Sequence, residues 1–329
     1  MTLRLRETPE DFLVDEVPAY APSGSGAHTF VRVQKRLRTT EEVARDLARA
    51  AGVRPGDVGY AGRKDRVAVA TQWFSVPGLD PALAVALDLP GARVLEASLH
   101  PHKLRTGHLR GNRFEIAVRG ASAELADAAR ERLASFERRG FPNRYGPQRY
   151  GRRGDNAERA RALCAGATPQ LPRRDARFLL SALQAEVFDA ALAARRAPLH
   201  TLEPGDLAMR HDSGGLFLVD DAAREEPRAE AFEISATGPI FGTRMAEPAG
   251  AVADREREVL SARGIDLRAL RLPSGIRLRG ARRALRARPE GAELDYGDGV
   301  MRLRFGLPPG SYASVLVEEL VGDAAPTRD

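Results

Sequence analysis

Asp65 stands in the segment Gly62-Arg63-Lys64-Asp65-Arg66, between two runs of strand-like composition, DVGYAG (57–62) and ATQWFSV (70–76). Three neighbouring cations favour the ionised form of this carboxylate. With a reference value near ~3.9, it is charged at neutral pH and can serve as a nucleophile or a general base. A surface salt bridge is the competing reading of the same residues. Asn112 and Phe114 form a second chemical pair. At i and i+2 of a strand they share one face, where an amide beside a ring suits a pyrimidine. Packing of Phe114 in a core, with Asn112 in a turn, is the alternative. Other candidates fail on spacing. Gly56 to Asp65 lacks the GxxxxGK[ST] pattern of a phosphate loop. His100, His102 and His108 lie close in sequence, but no carboxylate or thiolate at ligand spacing completes a metal set. No Gly-x-Ser-x-Gly elbow occurs.

The elements that must position these residues follow from periodicity. His28–Val33 alternates as a strand, and Thr39-Thr40-Glu41-Glu42 gives a capping-box start to a helix with Val43, Leu47 and Ala51 inward and Gly52 as its stop. Arg93–Leu99 and Arg113–Val118 read as strands, the second placing Phe114, Ile116 and Val118 on one face. Ser122–Arg139 reads as a helix along Leu125, Ala129, Leu133 and Phe136. FPNRYGPQRYGRRGDN (141–156) reads as a loop or boundary. Helical patterns follow at 157–165, 175–196 and 252–263, with short strands near 216–219 and 232–235. Ala292–Tyr296 and Val300–Leu307 are joined by Gly297-Asp298-Gly299, a hairpin signal, and a last helix runs from Ser311 to Gly322.

The chain has 329 residues and a net charge of +6. Arg130–Arg161 holds ten arginines against four acids, and Arg263–Arg288 nine against one, so the remainder sums to −8. Such segregation suits a polyanion, and nucleic acid is the leading partner class. Only three lysines accompany 48 arginines, a compositional bias that explains Arg over Lys but not the clustering. Cys164 is the lone cysteine, which excludes an internal disulfide and a multi-thiolate zinc site. The longest apolar run, Ala82–Leu87, is far too short to span a membrane. Charges in MTLRLRETPEDF argue against a signal peptide, so a cytoplasmic location is expected.

Six ordered segments resemble one family: PEDFLVDE (9–16), GYAGRKDRVAVATQW (59–73), HKLRTGHLRGNRF (102–114), FPNRYGPQRYGRRGDN (141–156), GPIFGTRM (238–245) and LPPGSYASVLVEEL (307–320). The chain resembles the TruD-type tRNA pseudouridine synthases, which isomerise uridine 13 of certain transfer RNAs. That resemblance implies Asp65 as the catalytic aspartate, with Phe12, Asn112 and Tyr312 lining the substrate pocket and Phe114 stacking on a flipped uracil. It also implies supporting roles for Lys64 and for Arg6 as the basic partner of the aspartate. Two positions depart from the family pattern: Arg144 stands where an aromatic or small polar residue is usual, and Tyr312 where Phe is also found.

The implied fold is α+β. A discontinuous catalytic domain with a mixed or antiparallel sheet (1–139 plus 289–329) is interrupted by an inserted α/β domain (140–288). Isomerisation breaks the N1–C1′ bond, turns the base and joins C5 to C1′, which calls for a carboxylate and an aromatic-walled pocket but no metal or cofactor. Asp65 would add to the base, act at C1′ or remove a proton. The target base must leave its stack. Transfer RNA is the expected partner, bound along its backbone by residues such as Arg149, Arg152 and Arg153 in a cleft between the domains, and a monomer is expected. Two rivals stay open: a synthase acting on another RNA, and an RNA-binding or chaperone protein that keeps the fold without catalysis.

Overall fold

The computed structural model describes residues 2–151, 153–166, 171–266, 270, 272–273 and 275–322. Packing divides the chain into two compact units. One takes the chain up to Leu133 together with Pro289–Gly310 and Leu320 onward; the other takes Ala134–Arg288 and Ser311–Glu319.

The first unit is built on a sheet of nine strands among the described residues. From one edge the order is Glu290–Gly297, Val300–Leu307, Leu109–Arg119, Phe12–Pro18, Val69–Pro77, His28–Arg36 and Ala92–His100, with Arg4–Leu5 and Gly59–Tyr60 added at the side. Neighbours run antiparallel except Phe12–Pro18 beside Val69–Pro77, which makes the sheet mixed. Helix Thr40–Ala50 begins as its sequence demands: Thr39 accepts from the Glu42 amide, Glu42 accepts from the Thr39 amide, and Gly52 follows at φ +67°. Its Val43, Ala44, Leu47 and Ala48 pack into a core with Val31, Val33, Phe74 and Val76. The hairpin near the C-terminus closes through Asp298 and Gly299, both at positive φ, the pair a two-residue turn of type I′ needs.

Periodicity alone does not reveal Phe12–Pro18 as a strand. Its inward positions are Phe12, Val14 and Glu16, so a buried acid breaks the apolar alternation.

The second unit packs helices Asn156–Cys164, Arg173–Ala194 and Gly250–Ala262 around Leu179, Leu180, Leu183, Val187 and Phe241. Beside them lies an antiparallel sheet of Leu216–Leu218, Leu207–Arg210, Ile234–Ile240 and Ala281–Ala284. Helix Ala222–Glu230, with Pro227 inside it, and strands Leu207–Arg210 and Ala281–Ala284 are not legible from periodicity. The last strand carries arginines where an apolar alternation would be sought. Among the described residues no helix is long and apolar enough to cross a membrane.

Candidate active site

Register assembles one face of the first unit. Glu16 lies opposite Asn112 and Val14 opposite Phe114, while Phe114 and Asn112 lie opposite Phe305 and Leu307 on the other side. Alternation therefore puts Phe12, Val14 and Glu16 on the same face as Asn112, Phe114 and Phe305. The rings meet there: Phe114 is edge-on to Phe12 at 5.9 Å and stacks with Phe305 at 5.5 Å between centroids. The Asn112 Oδ1 is buried and has no hydrogen-bond partner, an unpaired acceptor on the same face as Phe114.

Asp65 reaches this face on the segment between Gly59–Tyr60 and Val69–Pro77. Its Oδ2 accepts from Arg6 Nη2 at 2.7 Å, and the pair is only partly covered, with side-chain exposures of 25% for Arg6 and 36% for Asp65. The same guanidinium lies 3.9 Å from the centroid of the Phe12 ring. Arg6 holds φ +57°, a left-handed conformation that costs a non-glycine residue about 1–2 kcal/mol and is kept by these two contacts.

The three cations next to Asp65 in sequence do not pair with it. Lys64 Nζ is buried against Glu16 Oε2 at 2.6 Å, Arg63 pairs with Glu41 at 2.6 Å, and Arg66 donates to the Leu37 carbonyl. Each of the three is taken up by a partner distant in sequence, so sequence adjacency does not decide which charges meet. Glu16 has a second duty, accepting from the Trp73 amide through Oε1. The main chain of the segment is held as well. Gln72 Nε2 donates to the Gly62 carbonyl, Thr40 Oγ1 accepts from the Lys64 amide, and Lys35 Nζ donates to the Asp65 carbonyl at 2.8 Å. Lys35, Thr40 and Gln72 are all essentially inaccessible to solvent. Sequence reading missed these three and Glu16; for Glu16, Lys35 and Gln72 the available signal was a polar residue at an inward strand position.

A cavity of about 690 Å³ touches Asn112 and Phe114 but not Asp65. Most of its wall comes from the opposite face of the sheet, from Leu13, Asp15 and Val17 on one strand and Arg113 and Glu115 on its neighbour. His100 stacks on Tyr20 at 5.0 Å, and the Tyr20 hydroxyl meets His108 Nδ1 at 2.7 Å. Among the described residues no group of three or more His, Cys, Asp or Glu is arranged to hold a metal.

Tyr312 belongs to the second unit by packing. Its hydroxyl accepts from Arg149 Nε and Nη2 at 3.3 and 3.1 Å, and Arg149 Nη1 donates to Ser181. Tyr145 lies 5.8 Å from the Tyr312 ring, and Arg283 lies 4.4 Å above Tyr145. Arg144 binds Glu319 and Glu318, which accounts for a basic residue at this position. The arginine windows are thus partly internal. Arg282 is fully buried against Glu256, and Arg286 donates to Ser235 and to three main-chain carbonyls. Arg153, Arg159, Arg277 and Arg279 are exposed, and Arg152 lies outside the described residues.

The model of the family tRNA pseudouridine synthase D (TruD) matches residues 1–166 and 158–320. The tRNA pseudouridine synthase D of an Anaeromyxobacter species is 47% identical over 325 residues, covering 96% of this chain and 92% of that protein. That of Thermus thermophilus is 42% identical over 323 residues, covering 96% and 88%. The crystal structure assigned as a putative tRNA pseudouridine synthase D (TruD) from Methanosarcina mazei superimposes with a TM-score of 0.73 at 21% identity, over 97% of this chain and 93% of that one, a likeness of fold. With near-complete coverage at such identity, and the α+β architecture shared, the chain belongs to the tRNA pseudouridine synthase D (TruD) family.

Proposed function

We propose that this protein isomerises uridine 13 of transfer RNA to pseudouridine, with Asp65 as the reacting group. One observation carries the reading. A partly exposed carboxylate is held by Arg6 on the sheet face that also presents Phe12, Asn112 and Phe114. Substrate and product contain the same atoms: the N1–C1′ bond breaks, C5–C1′ forms, C5 loses its proton and N1 gains one. No co-reactant enters that balance.

The flipped base is met by the Phe114 ring and by the unpaired acceptor of Asn112, which complements the N3–H of uracil. Phe12 supports Arg6 from below, so its part in the pocket is indirect. Lys64 acts through its buried pairing with Glu16 and fixes the segment that carries Asp65. Tyr312, whose hydroxyl Arg149 orients, is a further substrate contact. A discontinuous catalytic domain (1–139, 289–329) performs the reaction in the cytoplasm, and the inserted domain (140–288) holds the tRNA backbone through exposed arginines such as Arg153.

The test is to incubate the protein and its Asp65→Asn variant with unmodified tRNA transcripts, then map pseudouridine by carbodiimide adducts and primer extension. A stop at position 13 with wild-type protein and none with Asp65→Asn is the expected result. Stops elsewhere would redirect the assignment to another target, and full activity of the variant would remove Asp65 from the chemistry.

A further inference from the structure

Lys35 is an anomaly of the fold. It sits near the end of His28–Arg36, the strand next to the sheet edge formed by Ala92–His100, 1% exposed and facing the same core as Val31 and Val33. Buried lysines ordinarily pair with a carboxylate, yet both hydrogen-bond partners of this one are main-chain carbonyls, Arg38 at 2.5 Å and Asp65 at 2.8 Å. An apolar side chain of equal length would fill the space without desolvating a charge.

What lies around it gives the reason. Thr40, the first residue of helix Thr40–Ala50, accepts from the Lys64 amide and donates to Gln72 Oε1, and Gln72 Nε2 reaches the Gly62 carbonyl. Three buried side chains thus grip the main chain at residues 62, 64 and 65. The clasp is itself anchored at the strand-to-helix corner, where Leu37 adopts φ +55° and its carbonyl accepts from Arg66. Local strain and a buried charge converge on the residue whose carboxylate stays exposed.

We propose that Lys35, backed by Thr40 and Gln72, is a positioning residue that locks the Asp65 backbone so that its carboxylate meets the substrate in one orientation. The proposal rests on the reading of Asp65 as the reacting group. Burial that pushes the Lys35 ammonium down to about 8 agrees with an ammonium kept for its bonds and not for stability.

The experiment compares Lys35→Met, Thr40→Val and Asp65→Asn, each as the full chain. Readouts are kcat and KM on tRNA, the thermal midpoint, and hydrogen exchange of the peptide spanning residues 62–68. The expected result for Lys35→Met is kcat lower by about ten- to a hundredfold, as for a reacting group displaced by an ångström. KM should stay within about threefold, the midpoint should be unchanged or higher, and exchange should quicken only in 62–68. Thr40→Val, nearly isosteric, should repeat the kcat loss and the local exchange. Wild-type kcat in both variants, or losses that follow a lowered midpoint, would overturn the proposal. If Asp65→Asn is inactive while Lys35→Met is fully active, the clasp alone falls. If Asp65→Asn is active, the reading beneath it falls too.

Discussion

Arg6 donates to Asp65 at 2.7 Å across 59 positions of sequence while its guanidinium carbon sits 3.9 Å from the centre of the Phe12 ring. The ion pair, the ring and the left-handed backbone of Arg6 define one unit. An arginine suits it because its planar guanidinium stacks and donates at once, which an ammonium does less well. Arg6→Gln should lower kcat by about 10²-fold while leaving tRNA affinity nearly unchanged, by analogy with loss of a preorganised charge at a reacting centre. Arg6→Lys should recover part of that loss. Single-turnover kinetics with a parallel binding titration separates the two effects, and an equal fall in affinity would make Arg6 an RNA-backbone contact instead.

Glu16 and Lys64 form a buried pair at 2.6 Å with little solvent access. Removing one member leaves a bare charge, at a cost of about 3–5 kcal/mol, whereas removing both is much less costly. Lys64→Met should therefore shift the urea midpoint downward strongly, and Glu16→Gln added to it should restore most of the loss. Glutamine keeps an acceptor for the Trp73 amide. Additive losses in the double variant would show that the two residues act independently.

Stability should change with pH through Lys35. Its ammonium titrates near 10.5 when unfolded but at about 8 in the fold. Between these values the unfolded chain binds the extra proton, so stability rises with pH across that window. Relative to Lys35→Met, the wild-type protein should gain about 2 kcal/mol between pH 7 and 10. Tyr150 acts in the opposite sense above pH 10, because burial and its bond to Asp189 hold the phenol protonated. Both proteins share that effect, and the difference between their urea unfolding curves isolates Lys35. A flat difference across the window would contradict the burial of its charge.

Arg149 and Arg153 are neighbours in sequence with separate work. Arg149 uses its donors on Tyr312 and Ser181, whereas Arg153 is exposed. Arg149→Ala should lower stability by about 1.5–3 kcal/mol, the range for hydrogen bonds to a charged group. The salt slope of tRNA binding should hardly change. Arg153→Ala should leave stability alone and reduce the slope of log K against log salt by about 1. Reversal of these assignments in melting and filter-binding measurements would place the phosphate contact at Arg149.

Several features are written in local sequence. The Thr39–Glu42 capping box starts its helix, Asp298-Gly299 makes its hairpin, and alternation places Ile116 and Val118 inward beside Phe114. Each depends on residues a few positions apart, where backbone geometry alone sets the outcome. The family resemblance is equally legible, and the matched relatives agree with it.

Tertiary structure decided which charges meet. Three cations adjoin Asp65 in sequence, but the one that binds it is Arg6, because Lys64 and Arg63 are taken up by Glu16 and Glu41 while sheet register brings distant parts of the chain together. The same register explains why Glu16 and Lys35 read as breaks in apolar strands, though each holds the segment around Asp65 from within. The arginine windows were visible as charge, but charge counts cannot tell Arg282, buried on Glu256, from Arg153, open to solvent. Burial is a property of the packed chain, and it separates a cation that binds the protein from one free to bind RNA.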